Sequence, residues 1–172
     1  VLNDANFYTE VMTAPGNGES SEGFLARTMY APFEEADLFP GMASYLDMMA
    51  TYNPEGRVAG LGLQATSALL MFATAANSCL EANNNILERE CVLGEAMKIS
   101  SWTGGGLHSE TNPAAKTAPK CGIIMGVKGG QWTRIYPEIG SADDNGGGWH
   151  CDDNGAVTIE GDFGDVTSGV DP

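Results

Sequence analysis

The stretch CGIIMGVKGGQWTRIY, Cys121 to Tyr136, decides the fold class. Cys121 to Val127 is a short apolar run of strand length, rich in Ile and Val. Lys128-Gly129-Gly130 is a hairpin turn, and Gln131 to Tyr136 is the return strand. A two-stranded hairpin is not stable alone in water, so these strands need neighbours and a covering layer.

Upstream, the covering layer is helical. Phe39-Pro40 opens a helix with proline in its first turn, where the missing N–H costs nothing. Met42, Tyr45, Leu46 and Met49 form its inward face. Asn53-Pro54-Glu55-Gly56 is a turn. The longest helix comes next, from about Ala59 to Glu81, with Leu63, Leu69, Leu70 and Phe72 directed at a core. Asn83, Asn84 and Asn85 break it. Ile86 to Ile99 is a third helix carrying Leu87, Val92, Leu93 and Met97. Nearer the start, Val1 and Leu2 end a strand, and Asp4 caps a short helix from Ala5 to Met12. Thr13 to Ser21 is a loop, and Gly23 to Tyr30 a strand that Pro32 stops. Trp102 to Pro119 is irregular. Beyond Pro137 the chain is rich in Gly and Asp, with a last short strand at Ala156 to Glu160. The chain is α/β in character, but its strands are few beside three apolar-faced helices. The expectation is that these residues do not complete a self-sufficient domain.

Composition narrows the function classes. The chain has 172 residues, 42% apolar and 18% charged, which suits a globular fold. Its formal charge of -15 disfavours nucleic acid or an anionic membrane as partner. No apolar run is long enough to span a bilayer. Four cysteines lack any Cys-x-x-Cys pair, which disfavours a zinc ribbon or a thioredoxin-like motif. Cys79 with Cys91, and Cys121 with Cys151, read as two local disulfides and so as an oxidising compartment. Four buried thiols are the alternative.

Other motifs are weaker. Gly60-Leu61-Gly62-Leu63-Gln64-Ala65 fits G-x-G-x-x-A, with Glu81 downstream, but no strand–turn–helix unit surrounds it. It reads instead as a helix N-terminus whose glycines allow close backbone approach, and such an end suits a ligand carboxylate. His108 and His150 have no metal-ligand partner at helical spacing, and each reads as a surface or satisfied histidine. Asp143-Asp144-Asn145-Gly146 recurs as Asp152-Asp153-Asn154-Gly155. Both read as turns rather than calcium loops, because the alternating ligands and terminal Glu are missing. No metal, no cofactor and no catalytic residue is expected. Trp102, Trp132 and Trp149 pin loops to a core, or stack on a sugar.

The order of segments resembles the type I extracytoplasmic solute-binding proteins of ABC importers, the branched-chain-amino-acid-binding class. Ser21-Glu22-Gly23-Phe24-Leu25 with Pro32-Phe33 resembles one of that family's stretches. Phe39-Pro40-Gly41-Met42 to Tyr52-Asn53-Pro54 resembles its next helix, and Gln64-Ala65 to Asn77 its long helix. Lys120 to Trp132 resembles its closing hairpin. Trp102-Thr103-Gly104-Gly105-Gly106-Leu107 and the cysteine pairs resemble the actinobacterial version. The resemblance runs from about Val1 to Cys151. It implies the C-terminal portion of a two-lobed α/β fold, with parallel-sheet lobes flanked by helices and three hinge crossovers. Residues 1–30 would end a C-terminal-lobe segment, 31–122 would form an N-terminal-lobe segment, and 123–172 would return through the hairpin and tail. It further implies a binding protein rather than an enzyme, with a ligand-sensing ectodomain of the same fold as the alternative. Its partners would be a small-molecule ligand, a missing N-terminal portion of the same protein and a membrane permease, with no nucleic acid. Asp4 stands nearest the family's ammonium-holding carboxylate. Val58, Ala59, Gly60 and Leu61 stand at its second ligand contact, without the aromatic residue found there in the family.

Overall fold

The computed structural model describes residues 2–153 and 161. The strand expected at Ala156 to Glu160 lies outside them. The architecture is α/β, a mixed sheet with helices packed beside it. Its strands are β1 (Leu2–Asn3), β2 (Leu25–Thr28), β3 (Cys121–Lys128), β4 (Gln131–Tyr136) and β5 (His150–Cys151). Its α-helices are α1 (Pro40–Tyr52), α2 (Gly60–Ala82) and α3 (Arg89–Ala96).

The hairpin is the centre of the sheet. β3 pairs antiparallel with β2, β4 and β5, and only β1 with β2 is parallel. Gly129 and Gly130 both have positive φ, which glycine adopts freely and which matches the twist of a tight hairpin. Period-two alternation sets the faces. Ile123, Met125 and Val127 of β3 are fully buried, as are Ala26 and Thr28 of β2. On the other face, Gly122 and Gly126 leave room for neighbouring side chains; a Cβ at Gly126 would lie 2.8 Å from Ile135 and 2.9 Å from Leu25.

One core cluster draws on the whole length of the chain. It joins Tyr8, Met42, Leu63, Ile123, Trp132 and Trp149 among others. The Tyr8 ring stacks on Phe33 at 4.8 Å and meets Trp132 edge-on at 5.1 Å. Its hydroxyl donates to the Glu34 carboxylate and accepts from the Phe33 amide. Each indole N–H is also bonded: Trp102 to Ser67 Oγ, Trp132 to the Thr9 carbonyl and Trp149 to the Met29 carbonyl. The tryptophans therefore pin loops, one of the two roles read for them. Both disulfides form as paired in the sequence reading, Cys79–Cys91 and Cys121–Cys151. No described helix is long and apolar enough to cross a membrane.

Several expected elements differ. The helix from Ala5 to Met12 is two 3₁₀ turns, Ala5–Phe7 and Glu10–Thr13, because Tyr8 turns into the core and Thr9 is extended between them. The third helix covers only Arg89–Ala96. On α2, Leu63 is buried as expected, but Leu69, Leu70 and Phe72 are exposed. Small residues take the inward positions instead. Ala75, Ala76 and Cys79 are buried in the half of α2 that packs on α3.

Candidate functional site

The two parallel strands end side by side, and the residues just beyond them build a cleft. Asp4 directly succeeds β1, and Met29 and Tyr30 succeed β2. The first turn of α2 closes the third side. The resulting cleft, about 350 Å³, is lined by Asp4, Arg27, Tyr30, Gly60, Leu61 and Gln64, among others. Crevices outside the carboxyl ends of parallel strands are where open α/β sheets bind ligands.

Glycine at position 60 is what brings α2 this close. A Cβ there would sit 2.9 Å from the Ala5 carbonyl oxygen. The Gly60 amide donates to the Tyr8 carbonyl at 3.2 Å, and Thr9 forms an antiparallel bridge with Ala59. The Val58 amide donates to Glu10 Oε1 at 3.3 Å, and the Val58 carbonyl accepts from the Glu10 amide. Of the five residues expected at a ligand, Asp4, Gly60 and Leu61 thus share one cleft. Val58 and Ala59 instead hold the segment that carries it. The glycine motif begins a helix after an isolated bridge, not after a strand.

Charge distinguishes this cleft. Asp4 Oδ1 accepts from the Asn6 amide at 2.9 Å, so it caps the first 3₁₀ turn. Neither Asp4 nor Arg27 makes an ion pair among the described residues. The Leu61 amide has no hydrogen-bond partner among them either. It lies at the positive end of a 23-residue helix. The cleft therefore offers one carboxylate for a cationic group and a guanidinium and a helix amide for an anionic one. Arg27 carries no signal in the sequence, where it is one polar residue in an apolar strand.

A second polar cluster is buried. Ser67 Oγ lies 2.8 Å from His108 Nε2, and His108 Nδ1 lies 2.7 Å from the Ser109 carbonyl. A carbonyl only accepts, so Nδ1 carries the proton and Nε2 accepts from the Ser67 hydroxyl. Burial lowers the His108 pKa below its ordinary 6.5. Gly104 closes over the pair, since a Cβ there would lie 2.6 Å from Ser67 Oγ. The cluster clamps α2 to the Gly104-Gly105-Gly106 loop, and His108 is a satisfied histidine. Its partner Ser67 is 41 residues away in sequence, beyond any local signal.

The aspartate turn is likewise satisfied by backbone. Asp144 accepts from the Gly140, Gly146 and Gly148 amides, and these bonds, Gly140 foremost, lower its pKa. Asn145 accepts from the Gly147 and Trp149 amides. In the second copy, Asp153 pairs with Lys120 at 2.7 Å, while Asn154 and Gly155 lie outside the described residues.

No family model matches the sequence, and no curated protein or solved structure matches it either.

Proposed function

We propose that this chain is part of an extracytoplasmic solute-binding protein that captures a small molecule in the Asp4 cleft and presents it to a membrane permease. The observation that carries the reading is the meeting of Asp4, Arg27 and the start of α2 around one cleft. Capture is reversible, and no bond is made or broken. Two lobes would close on the ligand, a hinge motion biased by contacts from both sides.

Two further features support it. Two disulfides suit an oxidising compartment. Leu69, Leu70 and Phe72 on α2, with Leu93 and Met97 near α3, leave a broad apolar surface exposed. Such a surface calls for a covering partner, here a further portion of the same protein. The ordered series of residue motifs, from Ser21-Glu22-Gly23 to the closing hairpin, agrees with this class of protein.

Native mass spectrometry of the full-length protein as isolated is the test. The expected spectrum carries a bound molecule of small-solute mass that disappears in Asp4→Asn. A bound mass that persists in Asp4→Asn would overturn the assignment of the cleft.

A further inference from the structure

We propose that Arg27, Lys120, Tyr136 and His150 form an oxyanion-binding pocket on the outer face of the sheet. The pocket is small, about 180 Å³, and Gly122 is its floor. Alternation and register create it. Arg27 lies opposite Ile124, Ile124 opposite Tyr136, and Gly122 opposite His150. These positions share the face of the sheet opposite Ile123 and Met125.

Gly122 leaves room for the guanidinium. A Cβ at this position would lie 3.0 Å from Arg27 Cζ and Nε and 3.1 Å from Nη2. The guanidinium therefore covers bare backbone, and a side chain at 122 would shift it by a few tenths of an ångström or more. Arg27 has no ion pair among the described residues. A planar, unpaired guanidinium fits the two oxygens of a carboxylate or phosphoryl group.

The neighbours extend the cradle. Lys120 pairs with Asp153, but both side chains are largely exposed, so that pair is weak and Lys120 can turn to an anion. Tyr136 Oη and the Asp143 carbonyl lie 2.9 and 3.0 Å from His150 Nδ1. His150 Nε2 has no partner among the described residues. Asp152 also lines the pocket, which limits affinity and disfavours highly charged ligands. The chain has only 8 Lys and Arg against 23 Asp and Glu, yet two of the eight and one of two histidines meet here. That local convergence opposes the general repulsion of anions. The proposal shares Arg27 with the Asp4 cleft but does not depend on the transport reading.

The test is NMR of the ¹⁵N-labelled full chain, tracking the Arg27 Nε–H and the His150 ring. Inorganic phosphate and acetate are titrated separately, with ionic strength held by chloride. A saturable Arg27 shift is expected. Response to phosphate alone assigns a phosphoryl ligand, and response to acetate alone or to both assigns a carboxylate-compatible one. Arg27→Gln and Gly122→Ala should each weaken binding about tenfold or more, and Lys120→Gln and His150→Gln should weaken it too, since those two side chains line this pocket and not the Asp4 cleft. No saturable shift with either anion, or a shift that survives Arg27→Gln, would overturn the proposal. Arg27 is exposed, so its variant decides the question even where Gly122→Ala fails to fold.

Discussion

At the scale of single residues, buried polar groups set the most specific expectations. Arg134 donates to both Glu35 carboxylate oxygens, with Nη2 to Oε2 at 2.5 Å, and its Nη1 donates to the Gly148 carbonyl. Both side chains are largely buried. Glu35→Gln leaves the guanidinium without its counter-charge and should cost about 3 kcal/mol, read from urea unfolding. His108 adds a pH dependence. Its pKa is lowered by burial, so the unfolded chain takes up the proton first. The stabilisation is present above the ordinary value of 6.5 and is lost as pH falls toward the folded pKa. Glu34 works in the opposite sense. Burial raises its pKa above the ordinary 4.5, so its contribution is full below that value and lost as pH rises through the folded pKa. The two slopes oppose, and the informative quantity is a difference. His108→Gln should be less stable than the parent at neutral pH, with the gap narrowing on acidification below about pH 6.5. A constant gap in urea midpoints would contradict the burial of neutral His108.

At the scale of elements, the local disulfide joining α2 to α3 carries the clearest prediction. Cys79 and Cys91 close a short loop, and replacing both by Ala should lower unfolding free energy by about 3 kcal/mol. Thermal or urea unfolding checks it. This loop, the hairpin and α1 are legible in the sequence because each is set by local rules: cysteine spacing, Gly-Gly between apolar runs, and proline at a first turn. The inward face of α2 is not. Helical period alone does not say which stripe is buried when both are apolar. Ala75, Ala76 and Cys79 are small enough to let α3 approach, and Leu69 and Phe72 are left outside. The segment after Asp4 departs from its expected helix for a related reason. Its apolar spacing suits a helix, but Tyr8 must reach Phe33 and Trp132, and a continuous helix would not deliver it. The cleft is half legible. Asp4, Gly60 and Leu61 stand out in the chain, whereas Arg27 joins them only through strand pairing.

At the scale of the whole molecule, two features stand together. A core runs through the chain from Tyr8 to Trp149, while α2 and α3 keep apolar side chains in the open, Leu69 at 66% and Phe72 at 53% exposure. In the 172-residue chain alone, Leu69→Ser with Phe72→Ser should change unfolding free energy by no more than about 0.5 kcal/mol per site. The same pair should reduce self-association in sedimentation velocity, because less apolar surface is offered to other molecules. Unchanged self-association would place the sticky surface elsewhere.

The central claim is that Asp4 receives the cationic group of a small solute. Asparagine caps a turn about as well as aspartate, so Asp4→Asn removes the charge while keeping the local fold. Isothermal titration calorimetry of the full-length protein with the standard amino acids, parent beside Asp4→Asn, tests it most directly. The predicted result is a binding amino acid whose affinity falls by roughly 2 kcal/mol or more in the variant. The same affinity in both proteins would contradict the claim.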